Sequence, residues 1–258
     1  MTRLASRAVC ALIYLFILAP ILITIPASFS DSPFIAALPH GLSLRWYANF
    51  FATPELTRSL VLSLRLAACA GTIALVLGML AALGLSRTLF PGRTMIRVFI
   101  MSPMIIPGLI LGLAMLMFFT RTHLAESFVS LVIAHVVVTL PYAVRTLSAS
   151  LDTMDDTLTE AAISLGATRF AAFRTITMPL LKAGLLASAI FTFVTSLDEL
   201  VVTLFLTGPR LTTLPVEMYN YIEFTSDPTI AAISVLLIAL TSAIVLLAER
   251  TIGFGDFT

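Results

Sequence analysis

Six apolar runs, each near or above the length of about 20 residues that a helix needs to cross a bilayer, lie at residues 8–29, 59–86, 98–120, 128–147, 183–206 and 230–248. No water is available at that depth to satisfy backbone N–H and C=O groups, so runs of this kind are confined to helices. The expected fold class is all-α, a polytopic membrane protein in which residues 1–258 form a single transmembrane domain. Charged residues make up only 11% of the chain, against about 25% in an average soluble domain, and 59% of residues are hydrophobic. The first run follows Arg3 and Arg7 as a secretory leader would. It exceeds the usual apolar stretch of about 7–15 residues and lacks a small-x-small cleavage site, so it reads as a retained span. A net charge of +1 offers nothing to nucleic acid. Cys10 and Cys69 fall inside apolar runs, where thiols behave as small hydrophobes rather than disulfide partners.

The main interruption is residues 152–182, which hold the stretch EAAISLGATRFAAFRTITMP at 160–179. Glu160, Ala161 and Ala162 start a short helical run, and Gly166 is placed to end it with the positive φ that a helix C-terminus favours. A second helix is expected from near Thr168. Phe170, Phe173 and Ile176 share one of its faces, Arg169 and Arg174 lie elsewhere, and Pro179 should keep it from running unbroken into the next span. Asp152, Asp155 and Asp156 suit the start of a helix electrostatically. On physical grounds alone this is a pair of interfacial helices resting on the bilayer. With an inside N-terminus, the inner segments hold Arg3, Arg7, Arg87, Arg93, Arg97, Arg145, Arg169, Arg174, Lys182 and Arg250. The outer side holds only Arg45, Arg58, Arg65, Arg121 and Arg210, so the positive-inside bias puts residues 152–182 and both termini in the cytoplasm.

Asp198 and Glu199 stand in an otherwise uncharged part of the fifth run, about 24 Å from the inner loop if the intervening residues are helical. An ionised carboxylate at that depth costs a few kcal/mol unless it faces water or a partner. Two readings stay open: at least one of the pair lines a substrate pathway, or one pairs with an outer-leaflet arginine such as Arg65. Trp46 and Tyr47 in the first outer segment fit an aromatic belt, and the Trp46 ring could also hold a cation over its face. Pro103, Pro107, Gly108 and Gly112 interrupt the first half of the third run, as a kinked packing helix or as a cavity wall. His40, His123 and His135 are scattered, so no metal site is expected.

At Glu160-Ala161-Ala162, Gly166, Ile176 and Pro179 the chain resembles the EAA loop of permease subunits of bacterial ATP-binding-cassette (ABC) importers. The resemblance implies a type I importer permease fold in the bacterial inner membrane, with a cytoplasmic coupling loop that docks on an ATPase subunit. Glu160, Ala161, Ala162, Gly166, Phe170, Phe173, Ile176 and Pro179 are its expected coupling residues. No P-loop pattern is present, so ATP and its magnesium would be bound by that separate ATPase dimer, and this chain would be no enzyme. Ser196 to Val202, then Thr207-Gly208-Pro209 and Leu214-Pro215, with Met101-Ser102-Pro103 and Trp46-Tyr47, resemble the spermidine and putrescine branch. That branch implies a heterodimer with a second permease and a periplasmic or extracellular binding protein docking on residues 30–58 and 208–228. The expected pathway residues are Asp198, Glu199, Trp46 and Tyr47. Polyamine members often carry an acidic residue after the Ser-Pro of the third span, where this chain has Met104, which leaves the identity of the amine open.

Three rivals remain at the level of sequence. The cargo could be another small solute, such as an opine, an amino acid derivative or an aminophosphonate. An ion-coupled secondary transporter would use Asp198 and Glu199 as a cation relay and need no ATPase. A non-transporting scaffold would leave the buried acidic pair without a purpose.

Overall fold

The structure, a computed structural model, describes residues 2–34, 41–88, 90–209, 211–225 and 227–252; His40 and Arg210, named above, lie outside the described residues. Among the described residues the chain is helical, and its only β feature is an isolated bridge between Gly208 and Leu211. The helices are α1 (Thr2–Ser28), α2 (Arg45–Ala52), α3 (Pro54–Arg87), α4 (Arg93–Met101), α5 (Gly108–Arg121), α6 (Phe128–Asp152) and α7 (Thr157–Ser164). They continue as α8 (Arg169–Ala172), α9 (Met178–Leu180), α10 (Lys182–Leu197), α11 (Val201–Leu204), α12 (Leu214–Phe224) and α13 (Thr229–Ile252). Among the described residues five helical stretches are long and apolar enough to cross a membrane, and α4 with α5 makes a sixth if the bent pair is one span.

Two expected spans differ in kind from continuous helices. The third is bent by 101° between Arg93–Met104 and Gly108–Arg121, and neither arm alone, at about 18–21 Å, reaches across the roughly 30 Å of hydrocarbon. Pro107 is the cause: it sits at φ −54°, ψ 131°, an extended geometry, and it lacks the N–H that would continue the helix. In the fifth, α10 ends at Leu197 and α11 begins at Val201, so Asp198 and Glu199 lie in a break rather than on a helix. Residues 208–228, expected as an outer loop, contain the 11-residue helix α12.

The chain divides into two compact units, residues 1–58 with 217–243 and residues 59–216 with 244–258. In the first, Asn49 on α2 donates to Thr229 Oγ1 at 2.9 Å and to the Tyr221 hydroxyl at 3.3 Å. Asp227 accepts from that hydroxyl and from the Thr229 backbone N–H, both at 2.9 Å, and so starts α13. The pKa of Glu217 on α12 is pushed up, first by burial and then by the Glu55 carboxylate. The native state therefore binds more protons than the unfolded chain between the ordinary and the raised value, and stability falls as pH rises through that window. Glu217→Gln should remove this slope, seen as a Tm that no longer declines on account of this group as pH rises above the ordinary carboxylate range.

The second unit has two apolar cores. One joins Leu66 of α3, Phe119 of α5, Leu131 and Ala134 of α6, and Val202 and Leu206. The other joins Met79 and Ala82 of α3 with Leu147 and Leu151 of α6 and Leu181. Helix α6 packs along α10, and their approach is set by Gly184, where a Cβ would collide with the Ser150 side chain. Close backbone contact at a small residue is how membrane helices gain packing energy when lipid is as apolar as leucine.

Candidate functional site

The segment between α6 and α10 folds as the sequence suggests up to Gly166. Asp155 accepts from the Thr157 N–H at 2.9 Å, a bond that holds its pKa below the usual carboxylate range, and Arg87 at the end of α3 is ion-paired with Asp156. Helix α7 closes with two reversed bonds, Gly166 N–H to Ile163 O and Ala167 N–H to Ala162 O, both 3.0 Å. This is a Schellman ending, and Gly166 takes the required positive φ of 93°. Thr168 then caps α8 by accepting from the Ala171 N–H at 3.2 Å.

Beyond Ala172 the register widens to a π-turn over Phe173–Thr177, in which Met178 N–H reaches Phe173 O. Pro179 has no N–H to give to Thr175, so its missing bond falls inside this turn. Helical structure nevertheless continues through Leu180, and the actual break is at Leu181, two residues later than expected. The expected face also divides. Phe170 is 73% exposed, whereas Phe173 packs against the Met79 and Leu147 core of its own chain, and Ile176 is half-buried. Glu160 and Ala161 are exposed and Ala162 is half-buried. Leu165, unnoticed in the sequence, is 90% exposed at the turn beside Gly166. A bulky apolar residue directly before the helix-ending glycine was the signal available for it.

At the fifth-span break, Asp198 caps α10 with its N–H on Val194 O at 3.0 Å. Its side chain is exposed and has no hydrogen-bond or ion-pair partner among the described residues. The carboxylate stands at a helix C-terminus, the end of the dipole that disfavours an anion. Glu199 is different: its Oε1 accepts the Val202 N–H at 2.9 Å and so caps α11. The alternative left open in the sequence, a pairing of one of these acids with Arg65, is not formed among the described residues. Deeper along α6 and α10 an open groove of about 630 Å³ is lined by Tyr142, Arg145, Thr146, Ala149, Ser150, Thr153 and Phe191, and it contains no carboxylate.

Trp46 and Tyr47 lie in the first unit, Asp198 and Glu199 in the second. Trp46 is 5% exposed, donates its indole N–H to Ser30 O at 2.7 Å, and has the Arg45 guanidinium 4.2 Å from its ring centroid. Tyr47 bonds Ser28 Oγ at 2.8 Å and packs on Phe29. Both therefore hold the segment after α1 to the end of that helix, and the Trp46 face expected to receive a cation already carries one from its own chain.

Several solved structures share this fold. A bacterial ABC transporter involved in the import of the acidic polysaccharide alginate aligns with a TM-score of 0.69 at 14% identity, covering 100% of this chain and 96% of that one. The alginate transporter in complex with its alginate pentasaccharide-bound periplasmic protein gives 0.73 at 14% identity, covering 96% and 92%. The methionine transporter MetNI in inward-facing form gives 0.65 at 21% identity, covering 76% and 94%. In sequence, the chain is 32% identical over 232 residues to the putrescine transport system permease protein PotI of Escherichia coli (strain K12), covering 87% of this chain and 82% of the relative. It is 29% identical over 247 residues to the spermidine/putrescine transport system permease protein PotC of the same strain, covering 96% and 93%. The pattern of one family spans residues 74–252, from the middle of α3 to the end of α13. On that match, this chain belongs to the family of binding-protein-dependent transport system inner membrane components.

Proposed function

We propose that the chain is a permease subunit of an ATP-driven importer and forms part of the path for a small organic cation, a polyamine or a related amine. The observation that carries the substrate class is Asp198, an exposed carboxylate with no partner among the described residues, at a break in a membrane span. Ionised groups at such depth are costly and mark substrate paths. The names of PotI and PotC, putrescine and spermidine/putrescine permeases, support the same class. Met104, where the resemblance to the polyamine branch implies an acid, leaves this subunit with one acidic partner fewer for a polycation. Arg145, in the groove along α6, would keep a cation from lingering on its way inward.

In this reading residues 157–180 are the coupling helices, and Leu165 with Phe170 form the apolar tip that seats in the ATPase. Burying each should contribute about 1.5–3 kcal/mol. Glu160, Ala161, Ala162, Gly166 and Pro179 shape the loop, while Phe173 anchors it to the permease core. The Arg87–Asp156 ion pair supports one face for the α3–α4 turn and the coupling loop, and the basic-residue bias supports a cytoplasmic placement of that face and of both termini. The remaining partners are a second permease, an ATPase dimer holding ATP and magnesium, and a binding protein docking on residues 30–58 and 208–228. Calorimetry of that binding protein against putrescine, spermidine, monoamines, opines and amino acids tests the substrate: binding of an amine is expected, and failure of every amine would overturn it. Uptake by this chain alone, with no ATPase copurifying, would instead favour the ion-coupled rival.

A further inference from the structure

A histidine carried into the interior of a membrane protein must satisfy both ring nitrogens or leave a polar atom stranded. His135 on α6 is 1% exposed and satisfies both, and the residues it uses lie on opposite sides of the fifth-span break. Its Nδ1 is 2.8 Å from Ser196 Oγ, near the end of α10, and its Nε2 is 2.9 Å from Thr203 Oγ1 on α11. The Thr203 hydroxyl donates to Glu199 O at 2.9 Å, so it accepts from the ring, which puts the ring proton on Nε2. Nδ1 is then an acceptor, and the Ser196 hydroxyl donates to it. The donors run in one direction, from Ser196 to His135 to Thr203 to the carbonyl of Glu199, a carbonyl that the break has freed from helical bonding.

We propose that His135 is a positioning residue for the substrate path: by tying Ser196 and Thr203 to α6 it sets the conformation of residues 198–200 and with it the direction of the Asp198 carboxylate. This rests on the reading of Asp198 as a substrate contact. An apolar side chain would fill the same space between α6 and α10, but it could not bridge the two hydroxyls, and Glu199 would be left as the principal brace of the break through its bond to Val202 N–H.

The test uses the assembled transporter in membrane vesicles, with rates normalised to the amount of complex. His135→Phe keeps a ring and removes both bonds; a rise of about ten-fold in KM for the amine is expected, with ATPase association retained. His135→Gln, whose amide can still donate towards Thr203, should recover part of the loss. In a background with Cys10 and Cys69 changed to serine, Asp198→Cys is labelled with a membrane-impermeant maleimide, and adding His135→Phe should change the labelling rate by about ten-fold. Thr203→Val and Ser196→Ala, each cutting one bond, give the same readouts where His135→Phe fails to assemble. Unchanged labelling with the bonds cut overturns the proposal, whatever happens to uptake. Changed labelling with unchanged uptake upholds the positioning role and overturns the substrate reading of Asp198 instead.

Discussion

Gly166→Val is expected to cut ATP-driven uptake by about ten-fold or more while leaving the membrane helices folded. The residue sits at φ +93°, and a Cβ built there meets nothing within 4 Å, so the penalty is one of backbone conformation and not of packing. For a β-branched side chain the left-handed region costs at least about 1–2 kcal/mol. The cheapest escape is to let the position become right-handed helical, which breaks the bonds from Gly166 N–H to Ile163 O and from Ala167 N–H to Ala162 O. Helix α7 would then run on, and α8 would leave with a new direction, carrying Phe170 away from Leu165. Gly166→Asn, which tolerates the left-handed region, should lose least, and Gly166→Ala should fall between. The checks are uptake in vesicles and copurification of the ATPase; full uptake by Gly166→Val would remove this turn from the coupling mechanism.

What was legible in the sequence follows from which forces act locally. The spans were readable because apolar length is a one-dimensional property, and the Gly166 turn because a Schellman ending has a local residue preference. The breaks were not, although their residues were noticed. Pro103 and Pro107 announce a disturbance, but a bend of 101° depends on what the two arms pack against. Asp198 and Glu199 look alike in sequence and differ in use, because whether a carboxylate caps a neighbouring N–H depends on where the helix actually stops. Phe170 and Phe173 share a face at helical spacing, yet Phe170 stays exposed while Phe173, half-buried, packs against the Met79 and Leu147 core, a division set by what lies across from the helix and not by spacing. His135 read as one of three scattered histidines because its partners lie 61 and 68 residues away in the chain. Four residues after it, Thr139 returns its own hydroxyl to the His135 carbonyl, so no local polar pattern pointed outward.

The difference between the two acids yields the sharper expectation. Asp198→Asn should raise the KM for a cationic substrate by about ten- to a hundred-fold, the span of a lost charge-assisted hydrogen bond of roughly 1.5–3 kcal/mol. Folding should not suffer, since the carboxylate has no partner among the described residues to abandon and its charge is unfavourable at the C-terminal end of α10. Glu199→Gln keeps an oxygen for the Val202 N–H and should transport nearly as well as the parent. Glu199→Ala strands that N–H at the break, costs about 1 kcal/mol of local stability, and should lower the transport rate with a smaller change in KM. Initial uptake rates of a labelled amine, taken over a range of concentrations in reconstituted vesicles, separate these outcomes. Were Glu199→Gln the severe variant and Asp198→Asn the silent one, the capping carboxylate would have to be the one that meets substrate, and α11 would have to unwind to release it.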